Sequence, residues 1–194
     1  MSPVWRNRVI GLVIAAAVYA LDRWIKALVV GPWRLREVEV IELLPFFDLR
    51  WTRNFGVSLG MFEATSIEMR WALVAVTGLI AVVVLVWLLR ERLMADIAGL
   101  ALILGGALGN IQDRFELGYV IDYADLHFRW IPQYLCPNYE NGVCRPFLIF
   151  NVADAAITIG VLIILARALF MREKPPTPQD ENVADQPAEN STHA

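Results

Sequence analysis

The chain has 194 residues, a formal net charge of −3 and 57% hydrophobic residues. Its mean hydropathy is +0.49, and the apolar residues occur in long runs, which is typical of a one-domain integral membrane protein. The small negative charge excludes a strongly basic nucleic-acid-binding protein. The two histidines, His127 and His193, and the two cysteines, Cys136 and Cys144, do not form a zinc-binding pattern. We therefore expect no metal, no cofactor and no nucleic-acid partner.

The first apolar run covers about residues 9–30, which is long enough to cross a hydrocarbon core of about 30 Å as a helix. A cleaved signal peptide is the alternative, because Arg6 and Arg8 precede the run and residues 18–20 resemble a cleavage site. The apolar pattern continues beyond that site to Val30, which favours a retained helix.

Three further apolar segments have the length of spanning helices, at about 71–89, 96–112 and 147–170. The segment 96–112 is rich in glycine, and small residues allow close helix packing in lipid. We therefore expect it to be the central helix. Four spans would put both termini on one side, and the density of Lys and Arg favours the cytoplasmic side.

Two polar segments, about 31–68 and 115–146, separate these spans. The first contains the β-forming stretches VEVIELL and FFDLRWTR, which predict short strands outside the membrane. Residues 175–194 have almost no large apolar side chains and predict a disordered cytoplasmic tail. The predicted fold is thus a mainly α membrane domain over residues 1–174, with four transmembrane helices and a small extracytoplasmic β-cradle and loop.

Two carboxylates, Asp122 and Asp154, are expected at the mouths of apolar helices. A pair of carboxylates in a low-dielectric pocket shares one proton, so one can activate water while the other polarises a peptide carbonyl. Three alternatives remain open at this point. Each Asp could cap a helix, each could pair with Arg114, or the true pair could be Asp122 and Asp125. We rank Asp125 lower because its neighbours suggest a more solvent-facing setting.

Several polar residues accompany these carboxylates. Asn110 and Arg114 are four residues apart, and Asn151 and Asp154 are three apart, so each pair would share one helical face. Asn54 precedes Gly56 in an aromatic-rich stretch, where it could make a turn or bind an extended peptide backbone.

Three charged residues, Asp22, Arg23 and Lys26, lie in the last third of the first predicted helix. Charges in this position are costly and need an explanation. The simplest is that Arg23 and Lys26 extend to the membrane interface while Asp22 pairs with Lys26. The alternative is that these residues support the site.

Five stretches carry a resemblance to a known family when they are taken together. They are LDRWIK (21–26), RNFGVSLGMF (53–62), GGALGNIQDR (105–114), GYVIDYADLHF (118–128) and FNVADAAITIG (150–160). In order and spacing they resemble the lipoprotein signal peptidase family, also called signal peptidase II, and the likeness covers about residues 9–170.

The resemblance implies a multi-pass aspartyl endopeptidase of the bacterial inner membrane. Such enzymes remove the signal peptide from diacylglyceryl-modified prolipoproteins by cutting before the lipidated cysteine. The active site would face the periplasm, the termini would be cytoplasmic, and globomycin would inhibit the enzyme. Asp122 and Asp154 would be the catalytic dyad. The residues expected to orient substrate or brace the site are Asn54, Asn110, Arg114, Asn151 and Asp22.

The sequence departs from the family pattern at Arg23, where the motif usually has glutamine, and at an insertion around CPNYENGVCRP. Cys136 and Cys144 in this insertion could form a periplasmic disulfide or remain free. The acidic tail has no role that we can derive. Two other functions compete with this hypothesis. One is a small transporter that relays protons through Asp122, Asp154 and Asp22, and the other is a metal-dependent lipid head-group transferase.

Overall fold

The computed structural model describes residues 2–56 and 67–170. Part of the motif that follows Asn54 and the predicted disordered tail lie outside these ranges. The elements are α1 (Pro3–Val30), α2 (Leu35–Val38), β1 (Val40–Leu44), β2 (Phe47–Asn54), α3 (Ile67–Arg90), α4 (Met94–Glu116), β3 (Val120–Leu126), a 3₁₀ turn (Gln133–Leu135), β4 (Tyr139–Glu140), β5 (Val143–Cys144) and α5 (Val152–Phe170).

Three helices, α3, α4 and α5, are long and apolar enough to cross a membrane. Helix α1 is longer, but its charged residues keep it outside this group. Only 17% of the most apolar part of α3 and 11% of that of α5 are buried within the protein, against 50% for α4. The outer faces of α3 and α5 therefore present apolar side chains to their surroundings, as lipid-facing helices do. The prediction that α4 is the central helix is confirmed.

Glycines on α4 allow its neighbours to approach closely. A Cβ atom at Gly105 would lie 2.5 Å from the carbonyl oxygen of Ala15 on α1. A Cβ at Gly106 would meet the carbonyl oxygen of Ala153 on α5. Because these contacts involve backbone atoms, only glycine permits this spacing between the three helices.

A three-stranded antiparallel sheet with the order β1-β2-β3 lies beyond one end of the helices. The strands predicted in the first polar segment are confirmed, and the one-turn helix α2 precedes them. Thr52 on β2 is the register partner of Asp122 on β3. The backbone of Phe150 pairs with that of Ala124 on β3, so α5 begins directly beside this strand.

Two features of the prediction around the carboxylates were wrong. Asp122 lies in the middle of strand β3 and not at the mouth of a helix. The fourth apolar segment does not become helical at residue 147, because α5 begins at Val152. Phe150 pairs instead with Ala124 of β3, so its backbone hydrogen bonds go to the strand and not to a helical turn.

Candidate active site

Asn151, the residue that precedes α5, connects the two predicted carboxylates. Its side-chain Nδ2 donates a hydrogen bond to Asp122 Oδ1 at 2.7 Å. Its backbone N–H donates to Asp154 Oδ2 at 3.3 Å, and the Asp154 N–H donates to Asn151 Oδ1 at 2.9 Å. The last two bonds form a reciprocal capping arrangement at the start of α5. Asp154 therefore does cap a helix, as the alternative proposed, and the same cap directs Asn151 toward Asp122.

Asn110 on α4 completes this arrangement. Its Nδ2 donates to Asp154 Oδ1 at 2.7 Å, and its Oδ1 accepts from Asn151 Nδ2 at 3.2 Å. Each carboxylate is thus held by an amide donor that is itself held in place. The first turn of α5, the last turns of α4 and strand β3 meet at this point, so the two aspartates are fixed by three separate elements.

The environment of Asp122 favours its protonated form. The side chain is 1% exposed. Burial, followed by the negative charge of Asp154, raises the pKa of Asp122 to about 7, against the lowering effects of hydrogen bonds from Asn54 and Asn151 and of the charge of Lys26. Asp122 therefore gains and loses its proton near neutral pH, which suits acid–base chemistry.

Asn54, the last residue of β2, makes the turn that was one of its two predicted roles, and its binding of a peptide backbone stays a prediction. Its Oδ1 accepts a hydrogen bond from the N–H of Gly56 at 2.8 Å, and Gly56 has a φ of 99°, so Asn54 does make a turn. The side chain of Asn54 also hydrogen-bonds to Asp122. The turn therefore brings an amide to the carboxylate.

A buried ion-pair network lies beneath the two aspartates. Lys26 Nζ is 2.8 Å from Asp22 Oδ2 and 2.7 Å from Asp113 Oδ2, and all three side chains are at most 2% exposed. The predicted pairing of Asp22 with Lys26 is confirmed, but the extension of Lys26 to the interface is wrong. Lys26 points inward because two carboxylates compensate for its desolvation.

This network joins α1 and α4, which carry its members, to α5 and β3, which carry the two aspartates. Asp22 Oδ1 accepts from the N–H of Ala153 in α5 at 3.1 Å, and Asp113 Oδ2 accepts from the N–H of Ile121 in β3 at 3.2 Å. Arg23 adds a bond from Nη1 to Asp113 Oδ1 at 2.5 Å. Asp113 is not among the residues predicted for the site. Its signal was present, since an acidic residue three positions after Asn110 shares a buried helical face with it.

Arg114 lies close to the site but does not pair with it. In the described part of the chain, no ion pair joins Arg114 to Asp122 or Asp154, so the pairing alternative is not observed. Arg114 and Asn110 line a cavity of about 260 Å³ between α3, α4 and α5, together with apolar side chains such as Ile157.

Asp125 has a different environment from the one we expected. It is buried, and its carboxylate pairs with Arg50 at 2.9 Å and Arg145 at 3.1 Å, so the predicted solvent-facing setting was wrong. Residues three apart on a strand point to opposite faces, which separates Asp125 from Asp122. The alternative pair of Asp122 and Asp125 is therefore not supported. Asp48 and His127 lie close to Asp125, but the two guanidinium groups disfavour a cation there.

Each carboxylate lines one of two neighbouring cavities. One, of about 410 Å³, is lined by Asp122 with polar and apolar groups from β2 and the insertion. The other, of about 330 Å³, is lined by Asp154 and mainly apolar residues of α5 and β3. Phe147 and Leu148 line both cavities. Polar and apolar parts of one ligand can therefore both reach the carboxylates.

Comparison with known proteins decides the family. A family model described as signal peptidase (SPase) II matches residues 14–170. The chain belongs to the signal peptidase II family. It is 50% identical over 164 residues to a lipoprotein signal peptidase of Sphingopyxis alaskensis, covering 84% of this chain and 87% of that protein. A lipoprotein signal peptidase of Rhizorhabdus wittichii is 49% identical over 177 residues, which are 91% of this chain and 94% of that one.

Two solved structures of bacterial membrane enzymes have the same fold. One has a TM-score of 0.66 at 24% identity and covers 84% of this chain and 94% of its own. The other has a TM-score of 0.64 at 23% identity, with coverages of 87% and 94%. Signal peptidase II enzymes are proteases, so family membership favours the peptidase over the transporter and transferase hypotheses. The three long apolar helices support a membrane protein.

Proposed function

We propose that this member of the signal peptidase II family is an intramembrane aspartyl endopeptidase. Its substrates are diacylglyceryl-modified prolipoproteins, and it removes their signal peptides by cutting before the lipidated cysteine. The observation that carries the catalytic assignment is the bridge formed by Asn151, which bonds to Asp122 through its side chain and to Asp154 through its backbone.

In this proposal Asp122 and Asp154 share one proton. The ionised carboxylate takes a proton from water, and the resulting hydroxide attacks the carbonyl carbon of the scissile peptide. The protonated carboxyl gives its proton to the carbonyl oxygen, which forms a tetrahedral intermediate. As the C–N bond breaks, the carboxyl that took the proton from water passes it to the leaving amine, and the other carboxylate takes back a proton from the intermediate's hydroxyl, which restores the singly protonated pair. The pKa of about 7 for Asp122 supports a singly protonated pair near neutral pH. Asn110 and Asn151 hold the carboxylates in position.

We propose that α1 is a fourth transmembrane helix despite its charges. Asp22 and Lys26 are buried against α4 and α5 and compensate each other, so they need not face lipid. Residues 1–174 would then form one membrane domain, and the sheet and the insertion would be its extracytoplasmic part.

We infer the orientation in the membrane from the end of the helix bundle that lies far from the sheet. The side chain of Asn7 donates to the carbonyl oxygen of Arg92, and Arg167 pairs with Asp96, which groups the start of α1, the α3–α4 connection and the end of α5. Basic residues concentrated at this end support a cytoplasmic position in the bacterial inner membrane. Asp122 and Asp154 would accordingly face the periplasm.

The cavities suggest how substrate reaches the dyad. The polar and apolar cavity beside Asp122 suits an extended peptide, and the apolar cavity beside Asp154 suits a lipid-modified side chain. A globomycin-type cyclic peptide that carries an acyl chain would compete for the same space.

The direct test uses purified full-length protein in detergent with a diacylglyceryl-modified prolipoprotein. Wild type should cleave it, the Asp154→Asn variant should not, and the same precursor without lipid should be cleaved far more slowly. A metal chelator should leave the activity intact. Failure of well-folded wild type to cleave the lipidated precursor, or loss of activity with chelator, would overturn the proposal.

A further inference from the structure

The insertion is fixed to the sheet at its C-terminal end. A disulfide joins Cys136 and Cys144. The backbone of Cys144 exchanges hydrogen bonds with that of Phe128, just after β3, at 2.8 Å in each direction, and Cys144 is fully buried. The disulfide thus anchors the start of the β4–β5 hairpin to a residue that is itself held against the cradle.

Arg145 follows this anchor and is held by two further contacts. Its N–H donates to the carbonyl oxygen of Asn138 inside the disulfide loop at 2.9 Å. Its Nε donates to both carboxylate oxygens of Asp125, at 3.2 and 3.1 Å. Among residues 2–56 and 67–170, its Nη1 and Nη2 have no hydrogen-bond partner. The side chain is therefore fixed at Nε while four N–H donors remain available.

Arg145 and Asn138 line the 410 Å³ cavity that also contains Asp122. Arg53 and Asn54 on β2 line the same cavity, so donors from the insertion and from the sheet meet around it. An extended peptide presents a row of unpaired carbonyl oxygens, which are the acceptors that such donors bind. Phe147 and Leu148 supply apolar contacts for its side chains.

We propose that Arg145 is a substrate-binding residue that donates to carbonyl oxygens of the extended peptide next to the scissile bond, and that the Cys136–Cys144 disulfide holds it in place. The inference rests on the proposed peptidase function and adds a specificity determinant in the insertion. Because Arg145 is proposed to bind the substrate and not to react with it, loss of its side chain should raise KM more than it lowers kcat.

Arg50 provides a matched control. Arg50 and Arg145 both pair with Asp125, but Arg50 does not line the cavity that contains Asp122. If Arg145 only neutralised Asp125, then Arg50→Ala and Arg145→Ala would have the same effect. If Arg145 binds the peptide, only its loss removes donors from the cavity.

The first experiment measures kcat and KM for both variants on the lipidated precursor. Arg145→Ala should raise KM by about 10-fold or more, the effect of one or two lost hydrogen bonds, with little change in kcat. Arg50→Ala should raise KM far less, and Arg145→Lys, which keeps the charge without the fork, should be intermediate. Equal effects of Arg50→Ala and Arg145→Ala would overturn the inference, whereas inactive wild type would overturn the peptidase function itself.

The second experiment opens the disulfide. A dithiol reductant converts the bridge to two thiols and is itself oxidised to a disulfide. Reduction of wild type should raise KM, and the Cys136→Ser/Cys144→Ser variant should show the raised KM without reductant and no response to it. Adding Arg145→Ala to that variant should raise KM by a smaller factor than the same substitution does in wild type. An unchanged KM after thiol labelling has shown complete reduction would contradict the role of the disulfide.

Discussion

Asn151 Nδ2 lies 2.7 Å from Asp122 Oδ1, which binds the start of α5 to the strand that carries the first aspartate. Because the backbone of Asn151 also donates to Asp154, any shift of α5 relative to β3 changes the separation of the two carboxylates. The geometry of the pair is thus set by the packing of α5 against α4 and β3 and not by either aspartate alone.

The first prediction concerns the roles of the aspartates. Asp122→Asn and Asp154→Asn should each lower kcat by at least about 10³-fold, since neither amide can exchange the required proton. Both variants should remain folded, because asparagine preserves shape. Single-turnover cleavage and thermal unfolding in detergent provide the two measurements.

Asp125→Asn is the matched control for these variants. It weakens the pairing with Arg50 and Arg145 and so should lower stability more than kcat. A loss of kcat equal to that of Asp122→Asn would reopen the assignment of the pair.

The second prediction concerns the pH dependence of activity. A pair that needs one proton should lose activity as pH rises through the pKa of Asp122, about 7. The hydrogen bond from Asn54 lowers this pKa, so Asn54→Ala should move the alkaline limb of the kcat profile to higher pH. A limb that stays in place or moves to lower pH would argue against Asp122 as the titrating group.

The third prediction concerns the pH dependence of stability. The pKa of Asp122 is raised in the folded protein, so the stability that its protonated form contributes is complete below about pH 4 and is lost as pH rises through about 7. Asp122→Asn removes this loss. We therefore compare the melting temperature of the variant minus that of wild type at two pH values. This difference should be several degrees larger at pH 8 than at pH 5. A constant difference across this range would contradict the raised pKa.

The fourth prediction concerns the buried network. Lys26→Met would leave Asp22 and Asp113 without their shared cation and should destabilise the protein by about 3–5 kcal/mol. Arg23→Met is the control, because its side chain is 31% exposed, and it should cost about 1 kcal/mol or less. Unfolding in detergent measures both. Similar costs for the two variants would show that burial of Lys26 has little energetic importance.

The fifth prediction concerns the close contact between Gly106 on α4 and the start of α5. A Cβ atom at Gly106 would meet the carbonyl oxygen of Ala153, two residues from Asn151, so Gly106→Ala should displace the start of α5. Both stability and kcat should fall. Gly78→Ala on α3 is the control, because nothing lies within 4 Å of its added Cβ. Gly78→Ala should leave activity unchanged and stability equal or slightly higher, and a similar response of both variants would contradict the argument.

Much of the fold could be predicted from local pattern. The apolar runs gave the long helices, the glycines in 96–112 identified the central one, and β-forming stretches predicted the strands, because each of these signals depends on residues close in sequence. The five motifs also identified the family. The pairing of Asp22 with Lys26 followed from helical spacing alone.

Other features depended on contacts between distant segments. Asp122 was expected at a helix mouth and lies on a strand, Asp125 was expected near solvent and is buried between two arginines, and Lys26 was expected at the interface and is buried between two carboxylates. In each case the environment comes from residues distant in sequence, such as Arg50 or Asp113. The sequence by itself determined which polar groups the membrane domain must accommodate. Only the tertiary structure decided which of them neutralise one another and which are left facing the cavity, because pairing energies in a low-dielectric interior depend on distances that chain spacing does not set.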